Sequence, residues 1–215
     1  MDAGLAAFDM DGTLTQGRLV FTIAAKFGLT GKVMDIQASA REVHAQTREI
    51  AALFSGITKK DVETAVESIP LAKNCEKAVA IFKEKNYKLG IISDSYTLAA
   101  DMIAARLGMD FVAANRLEII EGKITGHVHM PLGWEKIGCF CKISVCKRYH
   151  LEEQARRFGV PLEKTMAIGD TKSDVCMVQR AGIGISFMPK DDTIAKASKN
   201  VVLEPDMLKV SQFAA

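Results

Sequence analysis

At 215 residues with a net charge of +2, the chain is long enough to bury a full core as one domain plus an insertion. Its charge balance gives no case for binding nucleic acid or an anionic membrane. Hydrophobic residues at 48% and charged residues at 25% are ordinary for a soluble globular protein; no apolar run reaches transmembrane length, the acidic start Met1-Asp2 leads into no signal-peptide pattern, and the five cysteines include no Cys-x-x-Cys pair, so a reducing, cytoplasmic setting is expected.

The first element is the apolar run Leu5-Ala6-Ala7-Phe8, which reads as a buried strand of the parallel type. Asp9-Met10-Asp11-Gly12-Thr13-Leu14-Thr15 follows it directly. Asp9 thus sits where a core strand runs out, with Asp11 close to the same side. A charge at the end of a buried strand is costly unless compensated, and Gly12 lets the backbone turn tightly beside a ligand. Carboxylates, a glycine and a hydroxyl at a strand end suit a cation and a phosphate together; taken alone, the same residues also suit a helix cap. Helical spacing then covers 19–29 and roughly 33–55, broken near Gly28 and Gly31. Thr58 and Asp61 start a further helix along Val62, Ala65, Val66 and Ile69, which Pro70 closes. Three helices exceed what one crossover needs, so residues 16–73 are read as an inserted helical cap, with an ordinary crossover packed on the sheet as the alternative.

From 75 onward helix and strand alternate. A helix over 75–86 precedes the strand Lys88-Leu89-Gly90-Ile91-Ile92, and a helix over 97–107 precedes Asp110-Phe111-Val112-Ala113. Residues 116–121 and 123–130 form a hairpin across Glu121-Gly122. A helix over 143–158, a strand at 165–168, a helix over 173–180 and strands at 183–187 and 200–203 complete the chain. Repeated βα units imply an α/β fold: a Rossmann-like, mostly parallel sheet with helices on both faces, built from 1–15 and 74–215. Cys139, Cys141 and Cys146 raise a metal question, but three thiols without a clear fourth ligand make a poor zinc site. His150 is the candidate fourth ligand, against the ordinary reading of cysteine as a small buried apolar residue.

Three strand ends carry the remaining chemistry. Asp9 ends the first strand, Ser93-Asp94-Ser95 the second, and Gly169-Asp170-Thr171-Lys172-Ser173-Asp174 the one before the last βα unit, with Lys147 in the helix ahead of it. Ligands of open α/β sheets bind beyond such carboxyl ends, and Ser93 with the amides after it meets a helix N-terminus suited to an anion. Each piece alone has a plainer reading, as N-cap, first-turn acid or solvated lysine; it is the order of all of them that makes chance a poor account.

The set DMDGTLT, Ser93, Lys147 and GDTKSD resembles the haloacid dehalogenase superfamily of phosphotransferases, in particular its phosphoserine phosphatase-like branch. The resemblance extends over the helical cap, Ala114-Asn115-Arg116-Leu117 and the Glu121-Gly122-Lys123 hairpin. It implies Asp9 as nucleophile, forming an aspartyl-phosphate, and Asp11 as general acid and then base. It implies Mg²⁺ held by Asp9, the Asp11 carbonyl, Asp170 and Asp174. Gly12, Ser93, Asp94 and Lys147 would bind phosphate, Lys142 being the second choice for the motif lysine. The substrate would be a small phosphorylated metabolite; the resemblance assigns no oligomeric state. Three departures bear on that substrate. Arg18 stands where the branch carries a glutamate for the substrate ammonium, and an arginine there favours a carboxylate or second phosphate. Ser93-Asp94-Ser95 replaces a smaller Ser-Gly-Gly segment, and Ser173 replaces an asparagine. Arg48 is the candidate grip for a substrate carboxylate. Transfer to an alcohol other than water, or a non-catalytic phospho-acceptor module like a response-regulator receiver, are the competing readings; Asp11 and the cap argue against the second.

Overall fold

The computed structural model describes residues 4–214, so the Met1-Asp2 start lies outside the described residues. Strand β1 (Gly4–Phe8) is central in a seven-stranded sheet. To one side lie β2 (Tyr87–Tyr96), β3 (Phe111–Ile120) and β4 (Lys123–His129). To the other lie β5 (Thr165–Gly169), β6 (Ile183–Phe187) and β7 (Asn200–Val202). The order is β4-β3-β2-β1-β5-β6-β7, parallel except for β4. Chain order reverses at β1, where β2 pairs on one side and β5 on the other, so the crevice beyond β1 is the place for a ligand.

The alternation of side chains along β1 shows how both faces are covered. Ala6 and Phe8 belong to one apolar cluster, Leu5 and Ala7 to another. The first holds residues of α5 (Cys75–Glu84), α6 (Thr97–Leu107) and α10 (Leu208–Ser211); the second holds residues of α7 (Lys147–Arg157), α8 (Val175–Arg180) and α9 (Asp192–Ala197). Burial of these two faces is the main force holding the sheet and helices together.

Helices α1 (Leu19–Lys26), α2 (Thr30–Ala38), α3 (Val43–Leu53) and α4 (Lys59–Ser68) fill the segment after β1. Their buried residues, among them Ile23, Val33, Phe54 and Val66, continue the first cluster rather than forming a core of their own. The segment leaves and rejoins the sheet through a paired stem: Gln16 donates to the Pro70 carbonyl and Ala72 to that of Leu14. Thr58 caps α4 as its sequence suggests, accepting from the Asp61 amide at 3.1 Å.

Several expected boundaries move. The chain does break at Gly28, in left-handed backbone at φ 67°, but Gly31 lies inside α2. The 33–55 helix is two helices, split at Ser39–Glu42, where the Ser39 hydroxyl bonds back to the Ile36 carbonyl and Gln46 caps the turn. Residues 110–113 and 116–121 are one strand, because β3 continues past its parallel partner to pair with β4. The helix expected from 143 starts at Lys147, since Ser144 and Cys146 exchange backbone bonds with Leu132 instead. Strand β2 runs on through Ser93-Asp94-Ser95, with a register shift between Ile92 and Tyr96.

Candidate active site beyond the central strand

The register Phe8–Ile168 across β1 and β5 places Asp9 and Asp170 at neighbouring strand ends, and the Asp9 amide bonds the Ile168 carbonyl at 2.8 Å. Asp9, Asp170 and Asp174 are all buried, with one carboxylate oxygen from each lying within 4.8 Å of the others. Lys147, fully buried at the first turn of α7, sends its ammonium to Asp9 at 2.8 Å and to Asp174 at 2.5 Å. The Asp9 contact is an ion pair outside hydrogen-bond geometry and leaves Asp9 Oδ1 without a hydrogen-bond partner.

The loop after β5 is shaped by Asp174. Its Oδ2 accepts from the Asp170 amide at 3.1 Å and the Thr171 amide at 3.0 Å, while Thr171 and Asp174 cap each other. With Oδ1 given to Lys147, Asp174 holds the loop and the lysine at once. Asp170 Oδ1, by contrast, has no hydrogen-bond partner. Gly12, at φ 90°, closes the turn against it: a Cβ there would lie 2.2 Å from Asp170 Oδ2.

One ammonium faces several acids, and the proton affinities reflect it. Burial pushes Asp9 well above the usual carboxylate range; Lys147 works against this, while Asp174, Asp94 and Asp170 add to it. Burial raises Asp170 to about 7, again with Asp174 adding. Burial opposes the charge on Lys147, but Asp174, Asp9 and Asp94 outweigh it and hold the ammonium well above its ordinary value. The shared lysine thus leaves the acids under-compensated. Two buried carboxylate oxygens without hydrogen bonds, a third acid beside them and a glycine turn that leaves no room for a side chain fit a hard divalent cation with oxygen ligands.

Asp11 is half-buried, and its Oδ1 accepts from the Leu19 amide at 3.1 Å, the first turn of α1. Burial raises it to about 6 against that hydrogen bond, with Asp94 adding and Arg18 subtracting. Asp11, Arg18 and Asp94 line a 100 Å³ cavity roofed by Gln37 of α2 and by Val43, Gln46 and Ile50 of α3. Ser93 is fully buried and its hydroxyl accepts from the Ser95 amide at 3.2 Å. Arg48 is exposed and lies off the α3 face that lines the cavity. Lys142 is at the surface, paired with Glu42.

Two side chains from runs already marked in the sequence, but given no named role there, also meet the site. Thr13 is fully buried with an unpartnered hydroxyl in the turn after β1, and its place in the Asp-Gly-Thr run was the available signal. Asn115, also fully buried, donates to the Asp94 carbonyl at 2.6 Å and the Ser144 hydroxyl at 2.9 Å, fixing the end of β2. Its position at the close of a parallel strand pointed the same way.

Residues 6–179 match the family model for haloacid dehalogenase-like hydrolases. The phosphoserine phosphatase SerB2 of Mycobacterium tuberculosis is 30% identical over 191 residues, 86% of this chain but 44% of that protein, so this chain spans less than half the length of that relative. The phosphoserine phosphatase of Streptococcus thermophilus is 28% identical over 214 residues, 98% of this chain and 95% of the other. A solved phospho-aspartyl intermediate analogue of phosphoserine phosphatase superposes with a TM-score of 0.86 at 26% identity, covering 100% of both chains. The strand order, the acids at the ends of β1 and β5 and these likenesses agree: the chain belongs to the haloacid dehalogenase-like hydrolases.

Proposed function

We propose that the chain is a Mg²⁺-dependent phosphomonoester hydrolase that acts on a small phosphorylated metabolite through an aspartyl-phosphate on Asp9. The observation that carries this reading is the meeting of Asp9 and Asp170, from opposite ends of the sequence, around one buried lysine. Asp9, Asp170 and the Asp11 carbonyl would hold the ion, with Asp174 behind them. Bound there, Mg²⁺ would offset the repulsion between the Asp9 carboxylate and an incoming phosphate dianion.

Asp9 attacks phosphorus and the bond to the alcohol oxygen breaks. Asp11, raised by burial to about 6 so that it exchanges its proton close to neutrality, gives a proton to that oxygen and then takes one from the water that hydrolyses the aspartyl-phosphate. Ser93, Lys147 and the backbone at Gly12 and Asp94 hold the phosphoryl oxygens as charge redistributes. Residues 16–73 act as a cap over a core of 1–15 and 74–215, which the α2 and α3 residues over Asp11 support. The relatives are named for phosphoserine. Arg18 beside Asp11 and Asp94 favours a substrate with an extra anionic group near the phosphate. A cytoplasmic setting belongs to the same reading, supported by cysteines that are all free thiols.

The test is continuous phosphate release from p-nitrophenyl phosphate and from a metabolite panel, with and without Mg²⁺. Turnover should require the ion, and Asp9→Asn should lower it by about 10³-fold or more with an unchanged circular dichroism spectrum. Activity retained by that variant would remove Asp9 from its role. A single stoichiometric phosphorylation without further release would favour the receiver-like alternative.

A further inference from the structure

The segment between β4 and α7 has little regular structure, and its Phe140 is 96% exposed. It nevertheless brings Cys139, Cys141 and Cys146 together, and Cys176 at the start of α8 completes a group whose four Sγ atoms all lie within 4.8 Å of one another. All four are free thiols. Only Cys146 is fully buried, so apolar packing alone does not account for the convergence. His150, the fourth ligand suggested by sequence, is not in the group; its Nδ1 faces Glu153 at 3.4 Å.

We propose that Cys139, Cys141, Cys146 and Cys176 form a tetrathiolate site for one thiophilic divalent cation of the Zn²⁺ and Fe²⁺ class. A tetrahedral ion with metal–sulfur bonds of about 2.3 Å sets its sulfurs about 3.8 Å apart, so the group needs only a small contraction. A multi-iron cluster would spread the four sulfurs around a larger inorganic core. Thiolate donors also select this class over Mg²⁺ or Ca²⁺.

The surroundings suit sulfur anions. The backbone amides of Ile143, Arg148 and Tyr149 favour the thiolate forms of Cys141, Cys176 and Cys146 respectively, the kind of support that suits metal ligands. Cys146 is the N-cap of the eleven-residue α7, where the helix dipole favours negative charge. The Arg148 guanidinium faces Cys139 and Cys146. Backbone bonds from Cys139 to Trp134 and from Cys146 to Leu132 hold the loop in register. The ion would brace the catalytic centre from behind: Cys146 adjoins Lys147, and Cys176 lies two residues past Asp174.

This site stands apart from the phosphatase reading, and its test does not measure activity. The full chain, expressed with Zn²⁺ and Fe²⁺ in the medium and purified under reductant without chelator, should carry close to one equivalent of zinc or iron by elemental analysis. In the wild-type protein a mercurial should release that ion as the four thiols react. Exchange with Co²⁺ should give the intense sulfur-to-cobalt absorption of a tetrahedral thiolate site. Cys139→Ser and Cys176→Ser should each lower the metal content at least threefold, while Cys75→Ser, away from the group, should not. Folded wild-type protein without zinc or iron, acid-labile sulfide in the product, or full metal retention in folded Cys176→Ser would each overturn the proposal. Should the serine variants fail to fold, the wild-type release and cobalt spectra decide.

Discussion

Asp170 shows what the buried acids demand of the fold. It is held at about 7 against an ordinary 3.8, so the folded chain binds its proton more tightly than the unfolded chain does. Its contribution to stability is complete below the unfolded value and is lost as pH rises through about 7, and Asp11, at about 6, acts in the same direction. Without added Mg²⁺, urea denaturation should therefore show stability falling from pH 5 to pH 8. Asp170→Asn should flatten that fall by on the order of 1–3 kcal/mol; equal falls in both proteins would mean Asp170 is not the source. Arg18, exposed at the start of α1 and lining the cavity with Asp11, bears on selectivity instead. Arg18→Glu should raise kcat/KM for amino-bearing phosphates relative to dianionic ones by about tenfold, and an unchanged ratio in the metabolite panel would place it outside the pocket. Asp9 and Asp170 were legible because each closes an apolar run that must be a strand. Cys176 was not: nothing local marks a cysteine on α8 as the partner of thiols before α7. Arg48 lies on α3 but off the face that lines the cavity, a placement that helical spacing without the neighbouring elements does not specify.

At the scale of elements, existence was easier to read than extent. The hydrophobic runs at 5–8, 88–92 and 165–168 became β1, β2 and β5, because strands covered on both sides leave little choice of composition. Ends depend on partners that the local sequence does not contain. Strand β3 is long because β4 returns to pair with it, and α7 starts late because Cys146 bonds across to Leu132. The turn after β1 is the element with the least freedom. Gly12→Ala places a side chain in left-handed backbone and against Asp170. It should cost about 1–3 kcal/mol and raise the Mg²⁺ concentration needed for half-maximal activity by about tenfold or more. A Mg²⁺ titration of phosphate release checks this, and an unshifted midpoint would separate the turn from the ion.

For the molecule as a whole, the helical segment shares its interior with the sheet. Phe54, fully buried in that segment, meets Tyr96 at the end of β2 edge-on at 6.3 Å. Phe54→Ala should cost about 3–5 kcal/mol and lower a single transition seen alike by circular dichroism and Trp134 fluorescence; two separated transitions would show that the segment melts independently. The same segment does a second service. Residues 56–59 lie along the open side of β4: Gly56 donates to Ile124, Ile124 to Ile57 and Lys59 to Gly122. Left bare, that row of amides and carbonyls would recruit a strand from another molecule. A lesion that loosens these helices therefore uncovers an adhesive border, and precipitation on standing should betray it before the helical signal fades.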